Sequence, residues 1–158
     1  MSSSKTNAAR LLDRHKIAYE LAAYEVDEND LSAVHVADQL GVDAASVFKT
    51  LVLKGERTGH FVCVVPGNAE VDIKKAAKVA GDKKCDLIAV KDLLPLTGYI
   101  RGGCSPIGMK KQFPSFIHLS CNHFDHIFVS AGQRGLMLRI APSDLLAVVS
   151  ASVADLIV

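Results

Sequence analysis

Two β-rich runs, residues 48–53 and 61–65, are separated by Gly55-Glu-Arg-Thr-Gly59. β-branched and aromatic residues on either side of a short turn with glycines specify an antiparallel hairpin. The rest of the chain alternates helical and strand signals. Residues 6–15 predict a helix with Ala8, Ala9, Leu11 and Leu12 on one side, and residues 17–24 predict a strand. Ser32 caps a helix that Gly41 ends, with a short helical turn following from Asp43. Asp72 caps a lysine-rich helix that stops at Gly81. Residues 85–90 predict a strand, Asp92 and Leu93 a short helical piece, and residues 116–119, 126–130 and 136–140 three more strands. Pro142 opens a C-terminal helix, and the apolar tail 145–158 reads as helix packed on the core. A hairpin among helical crossovers predicts an α/β (α+β) fold with a mixed sheet and surrounding helices. An all-parallel Rossmann sheet fits poorly, because no GxGxxG follows the first strand.

A chain of 158 residues fits one domain, residues 1–158, and buries roughly two-thirds of its unfolded surface. It therefore needs no disulfide or metal staple. Hydrophobic residues at 49% and charged residues at 22% exclude disorder and collagen. The net charge of +1 identifies no polyanionic partner, but its distribution is uneven. Residues 19–48 hold acidic side chains and no lysine or arginine, whereas residues 49–134 carry a net positive charge. These cations either form a solvated surface or gather into a positive face. The N-terminus has no apolar secretory region and the C-terminal tail is too short to span a bilayer, so a cytoplasmic protein without a membrane partner is expected. Cys63, Cys85, Cys104 and Cys121 form no CxxC pair and read as free thiols.

Chemistry concentrates in Gly98-Tyr-Ile-Arg-Gly-Gly-Cys-Ser-Pro-Ile-Gly108. Such a loop can direct backbone N–H groups at one oxygen, or it can be a tight connection with no ligand. Ser130-Ala-Gly-Gln-Arg-Gly135 is a second glycine turn, placed directly after a strand. Its Arg134 suits phosphate or carboxylate, or is a surface side chain. Lys49 shares a strand face with Leu51 and Leu53. It either protects a sheet edge or reaches a substrate carbonyl or phosphate. His118, Cys121, His123 and His126 carry zinc-ligand chemistry, but one short stretch divided between strand and turn argues against a site, and no metal or cofactor is expected. Cys104 has no histidine near in sequence to form a dyad, and no GxSxG serine motif occurs.

Together these pieces resemble the YbaK/EbsC proteins, relatives of the editing domain inserted in bacterial prolyl-tRNA synthetases. The matching residues are Tyr24-Glu25, Phe48-Lys-Thr-Leu51, Asp72-Ile-Lys-Lys-Ala76, the glycine loop with Lys110-Lys111, and the Ser130-x-Gly-x-Arg-Gly135 turn. The resemblance implies a curved mixed sheet and hydrolysis of the ester of a mischarged tRNA, foremost Cys-tRNA(Pro). It implies that the enzyme supplies neither metal nor covalent nucleophile, and that the substrate cysteine's thiol attacks its own ester carbonyl. Lys49 and Gly102 are then the catalytic positions. Tyr24, Leu31, Thr50, Gly103, Ser130, Gly132 and Arg134 are the substrate-binding ones. The implied partner is the acceptor end of mischarged tRNA, with prolyl-tRNA synthetase as a possible second.

The chain departs from some relatives at Met137, where they carry a polar or acidic residue, and at Leu31, where they carry an aromatic one. Two other functions fit the same features. One is deacylation of another mischarged tRNA, such as Ala-tRNA(Pro), by water or a ribose hydroxyl. The other is a non-catalytic module that binds an aminoacyl or nucleotide ligand.

Overall fold

The computed structural model describes residues 5–158. The hairpin forms as expected. Strand β2 (Phe48–Gly55) pairs antiparallel with β3 (Gly59–Pro66), in register from Phe48 opposite Pro66 to Gly55 opposite Gly59. Its loop is tied down by Asp82, whose carboxylate accepts the backbone N–H groups of Arg57 and Thr58 at 2.8 and 2.9 Å. Those donors hold the Asp82 carboxyl far below its ordinary range.

Around the hairpin, the elements before it are α1 (Asn7–Arg14), β1 (Tyr19–Ala23) and α2 (Ala33–Leu40). After it come α3 (Ile73–Ala80), β4 (Cys85–Leu87), α4 (Val90–Thr97), β5 (Ser115–His118), β6 (Ile127–Gln133), β7 (Leu136–Ile140), α5 (Pro142–Val148) and β8 (Ser152–Ala154). The strands divide into a mixed sheet ordered β4-β2-β3-β5-β8 and an antiparallel sheet ordered β1-β7-β6. An isolated parallel bridge between Val47 and Phe128 joins them.

Strand β3 explains why its sequence is apolar without alternation. Val62 and Val64 enter the main core, where they meet Ile127, Val129 and Leu138 of the second sheet and Leu12 of α1. Phe61, Cys63 and Val65 point the other way, onto Ala76 and Ala77 of α3 and Leu156 of the tail. A strand buried on both faces reads as a continuous hydrophobic run. The caps Ser32, Asp43 and Asp72 all accept backbone N–H bonds as their sequence positions predict, and Gly41 and Gly81 end α2 and α3 with left-handed backbones.

Three expectations need correction. The tail is not one helix: α5 ends at Val148, Ser150 takes a left-handed conformation, and β8 returns to pair parallel with β5. Residues 130–133 are not turn but strand, because a bulge between Ser130 and Gln133 lets β6 continue and leaves Arg134 and Gly135 alone to turn. Residues 88–90 leave the expected strand, and α4 is a full eight-residue helix that keeps Pro95. Among the described residues no helix is long and apolar enough to cross a membrane.

The tail strand is clasped by a histidine. The buried His118 accepts the Leu156 N–H at Nδ1, 3.1 Å away, so Nδ1 must be unprotonated. Burial lowers the His118 pKa, outweighing the carboxylate of Asp155 at 3.9 Å. The unfolded chain therefore binds the proton more readily, and stability present above the ordinary histidine range, near pH 6.5, is lost as pH falls below it. The thermal midpoint should drop between pH 7 and 5, with a smaller drop for His118→Asn, whose amide oxygen accepts the same N–H without titrating. Equal slopes in the two proteins would refute the clasp as the titrating element.

Candidate active site

A cavity of about 620 Å³ opens where strand pairing fails. Strand β4 pairs with β2 only at residues 53–55, and the Ile88 N–H closes on the Val52 carbonyl at 3.1 Å. On the same flank the Val47–Phe128 bridge fixes the start of β2. Between these two points residues 48–51 border an open gap, which is lined by Lys49, Thr50, Tyr24, Leu31, Gly102 and Ser130. Residues more than a hundred positions apart in the chain thus meet in one cleft.

Lys49 is half-buried here, on the strand face of Leu51 and Leu53. It lies on the stretch of β2 that β4 leaves unpaired, where the strand borders the cavity. Thr50 points to the opposite face, and its buried hydroxyl has no hydrogen-bond partner among the described residues. A buried unpaired hydroxyl is costly, so it is available for a ligand. The Ser130 hydroxyl accepts the Gly132 N–H at 3.1 Å and keeps its own proton free to donate. Met137 and Val36 form an apolar wall of the cavity.

The glycine loop is held by side chains that sequence reasoning overlooked. Gly98 ends α4 with φ +87°, and the Thr97 hydroxyl both donates to the Leu93 carbonyl and accepts the Tyr99 N–H. The buried Tyr99 then donates its hydroxyl to the Ile107 carbonyl at 2.6 Å, closing the loop on itself. Gly102 has φ +83°, and the Gly103 N–H is used in a turn bond to the Ile100 carbonyl. That leaves the Gly102 N–H without a partner among the described residues, on a backbone segment that lines the cavity.

Gly103, Gly132 and Arg134 do not line the cavity. They are where the loop docks. A Cβ on Gly103 would lie 3.0 Å from the backbone of Gln133 and Arg134, and one on Gly132 would lie 2.8 Å from the Tyr99 ring. Arg134 donates from Nε to the Arg101 carbonyl at 2.9 Å, one residue before Gly102. Its guanidinium braces the loop from behind.

Asp30, also missed in the sequence, is the one carboxylate lining the cavity among the described residues. The Ser32 hydroxyl and backbone N–H hold its carboxyl below the ordinary range, so it is charged at neutral pH. Cys104 lines the same cavity, but burial pushes its thiol up to about 12. A thiol so raised is not a nucleophile at neutral pH. Nδ1 of His118 is already occupied by the Leu156 N–H. Among the described residues no three histidine, cysteine or carboxylate side chains converge as metal ligands.

Residues 27–148 match the model of the family described as "Aminoacyl-tRNA editing domain". The chain belongs to the aminoacyl-tRNA editing domain family. It is 45% identical over 155 residues to "Putative Cys-tRNA(Pro)/Cys-tRNA(Cys) deacylase EbsC" of Enterococcus faecalis, covering 98% of this chain and 94% of that one. It is 35% identical over 82 residues to a proline--tRNA ligase of Fervidobacterium nodosum, a match that covers 52% of this chain and 14% of the ligase. The fold is that of a crystal structure titled as a putative trans-editing enzyme for prolyl tRNA synthetase. The TM-score is 0.83 at 24% identity, covering 99% of each chain. The curved mixed sheet expected of the family is realised here as the two sheets joined at Val47 and Phe128.

Gly132→Ala should cost about 2 kcal/mol, from a left-handed backbone and the Tyr99 ring in its way, and lower the thermal midpoint by about 4–8 °C. Gly41→Ala shares the positive φ but meets nothing within 4 Å, so it should cost about half as much. Equal midpoints in a thermal melt would show that the Tyr99 contact is not what Gly132 serves.

Proposed function

We propose that this chain, as one editing domain, is a trans-editing deacylase that cleaves the ester of mischarged tRNA, with Cys-tRNA(Pro) as its foremost substrate. Support comes above all from one geometric fact: the cavity joins a cation, Lys49, to a glycine-loop backbone donor, and the one thiol lining it among the described residues, Cys104, is pushed up to about 12 by burial. The relative of 45% identity bears the name of such a deacylase.

In this mechanism the terminal ribose ester enters the gap beside β2. Its carbonyl oxygen faces the Gly102 N–H, and Lys49 adds a positive charge that positions the ester. The substrate's α-ammonium meets Asp30, and its side chain rests against Met137. Thr50 and Ser130 offer hydroxyls to the ribose, and Tyr24 and Leu31 close the wall. Gly103, Gly132 and Arg134 act through the loop they hold.

The substrate cysteine's sulfur attacks its own carbonyl carbon. A C–S bond forms, the ester C–O bond breaks, and the proton lost by the thiol ends on the departing ribose oxygen. The resulting four-membered thiolactone is then opened by water to free cysteine. Negative charge develops on the carbonyl oxygen during attack, and one fixed donor there is worth about 3 kcal/mol. The partners of the reaction are then the acceptor end of tRNA and, through the tRNA it delivers, prolyl-tRNA synthetase.

Lys49→Ala should lower deacylation by about two orders of magnitude with an unchanged thermal midpoint, whereas Cys104→Ser should retain activity within about threefold. Normal turnover by Lys49→Ala on Cys-tRNA(Pro) would place the chemistry elsewhere. The decisive comparison is Cys-tRNA(Pro) against Ser-tRNA(Pro) and Ala-tRNA(Pro) with the pure protein. A pocket alone separates such near-isosteric side chains weakly, but a thiol ionises far nearer neutral pH than a hydroxyl. Cysteine should therefore be released at least about a hundredfold faster, with a rate that rises toward the thiol pKa. Comparable rates on all three would replace substrate-thiol attack by water or ribose-hydroxyl attack. Protection of every ester would make the protein a binding module.

A further inference from the structure

We infer that helix α4 is the docking ridge for the single-stranded 3′ end of the RNA, and that a second cavity beyond it takes one of the two cytidines preceding the terminal adenosine. The inference rests on the proposed reaction only for the identity of the group in the first cavity.

A second cavity of about 670 Å³ lies on the far side of α4. It shares Leu87 and Ile88 with the first, and the helix separates the two. Val90 and Leu93 face the first cavity, whereas Asp92, Pro95 and Leu96 face the second. The crest is unusually apolar for a surface: Val90, at the rim of the first cavity, is 61% exposed and Leu94 51%, and Leu87 of β4, which borders both cavities, is 50% exposed. Val90 and Leu94 are four residues apart and so share one face of the helix, with the exposed Lys91 beside them. A ligand continuous with the first cavity must cross this crest. Along β2, Lys49 in the first cavity and Lys54 in the second are separated by roughly 16 Å, too far for one nucleotide to span.

The charges of the second cavity choose the part of the nucleotide. Its titratable lining is Lys54, Glu56, His60, Asp86 and Asp92. Three carboxylates repel a phosphate but accept the exocyclic amine of cytosine, the pairing acidic side chains make with that base. Lys54 stands in register between Asp86 of β4 and His60 of β3, so the cation left for the sugar-phosphate chain is the exposed Lys91 on the crest. The apolar crest offers Val90 and Leu94 to a base face, a sequence-tolerant contact.

The test is anisotropy of a 5′-labelled RNA hairpin with an unpaired ACCA 3′ end, against the same hairpin ending in AUUA. The wild type should bind the CCA form about fivefold or more tighter. Asp92→Ala should erase that preference, because the side chain then has no acceptor for the cytosine amine. Leu94→Ser should weaken the CCA form about five- to tenfold, whereas Leu21→Ser, an exposed leucine on β1, should not. Equal affinity for the two hairpins, no measurable binding of either, or full affinity in Leu94→Ser would each overturn the ridge. Cleavage of Cys-tRNA by a protein that binds both hairpins alike would leave the deacylase intact and refute the ridge. A clear CCA preference without ester cleavage would support the ridge and refute the deacylase.

Discussion

The site depends on one backbone-to-backbone contact, the seating of the 98–108 loop on the β6–β7 turn. Gly103 lies against the backbone of Gln133 and Arg134, where a Cβ would come to 3.0 Å, and Gly132 lies under the Tyr99 ring, where a Cβ would come to 2.8 Å. The turn can receive the loop because the bulge after Ser130 displaces β6 from β7. The bulge also leaves the Ser130 hydroxyl to accept the Gly132 N–H beside the cavity. One irregularity in a strand therefore sets both the wall and the roof of the cleft. The Gly103 N–H is spent on the turn to Ile100, whereas the Gly102 N–H has no partner among the described residues.

The second constraint is where β2 loses its partner. Eight residues of β2 pair with β3, which is buried on both faces, so the hairpin is anchored in both cores. The short β4 covers only the far end of β2, and the gap it leaves exposes the strand that carries Lys49 and Thr50. A cation on a core hairpin is more tightly positioned than one on a loop. The cost is a half-buried lysine and an unsatisfied Thr50 hydroxyl, both of which a bound ester would relieve.

Much of this was legible in the sequence, and the omissions have physical causes. The hairpin, the helix caps at Ser32 and Asp72 and the stops at Gly41 and Gly81 are local effects, encoded within a few residues. Strand β8 is not local: Ser-Val-Ala has little strand signal and becomes one because β5 presents an edge and Leu156 fills the second core. Lys49 and Gly102 stood out as an odd residue in its strand and a dense glycine cluster. Tyr99 and Thr97 did not, since a tyrosine after a glycine has no meaning until its hydroxyl finds Ile107. Asp30 was hidden among the acidic side chains of residues 19–48, where nothing marks one carboxylate as facing a cavity. Gly103, Gly132 and Arg134 were visible as a pattern, but a pattern does not separate residues that line a cavity from residues that hold the loop lining it.

The state of Cys104 links burial to mechanism. A thiol lining an acyl-transfer cavity would itself be acylated if it ionised, and the enzyme would be trapped or would act through a covalent intermediate. Burial raises Cys104 to about 12, with no histidine or lysine beside it to reverse the effect, so at neutral pH it remains a small apolar wall. In the proposed reaction the substrate thiol arrives from water with an ordinary pKa and lies by covalent connection within reach of its own carbonyl. On the proposed reaction, the cleft's own thiol is kept inert by burial and the attacking thiol is carried in by the substrate. Selectivity then resides in the substrate's chemistry, and an apolar wall such as Met137 is sufficient where a polar recognition group would otherwise be needed.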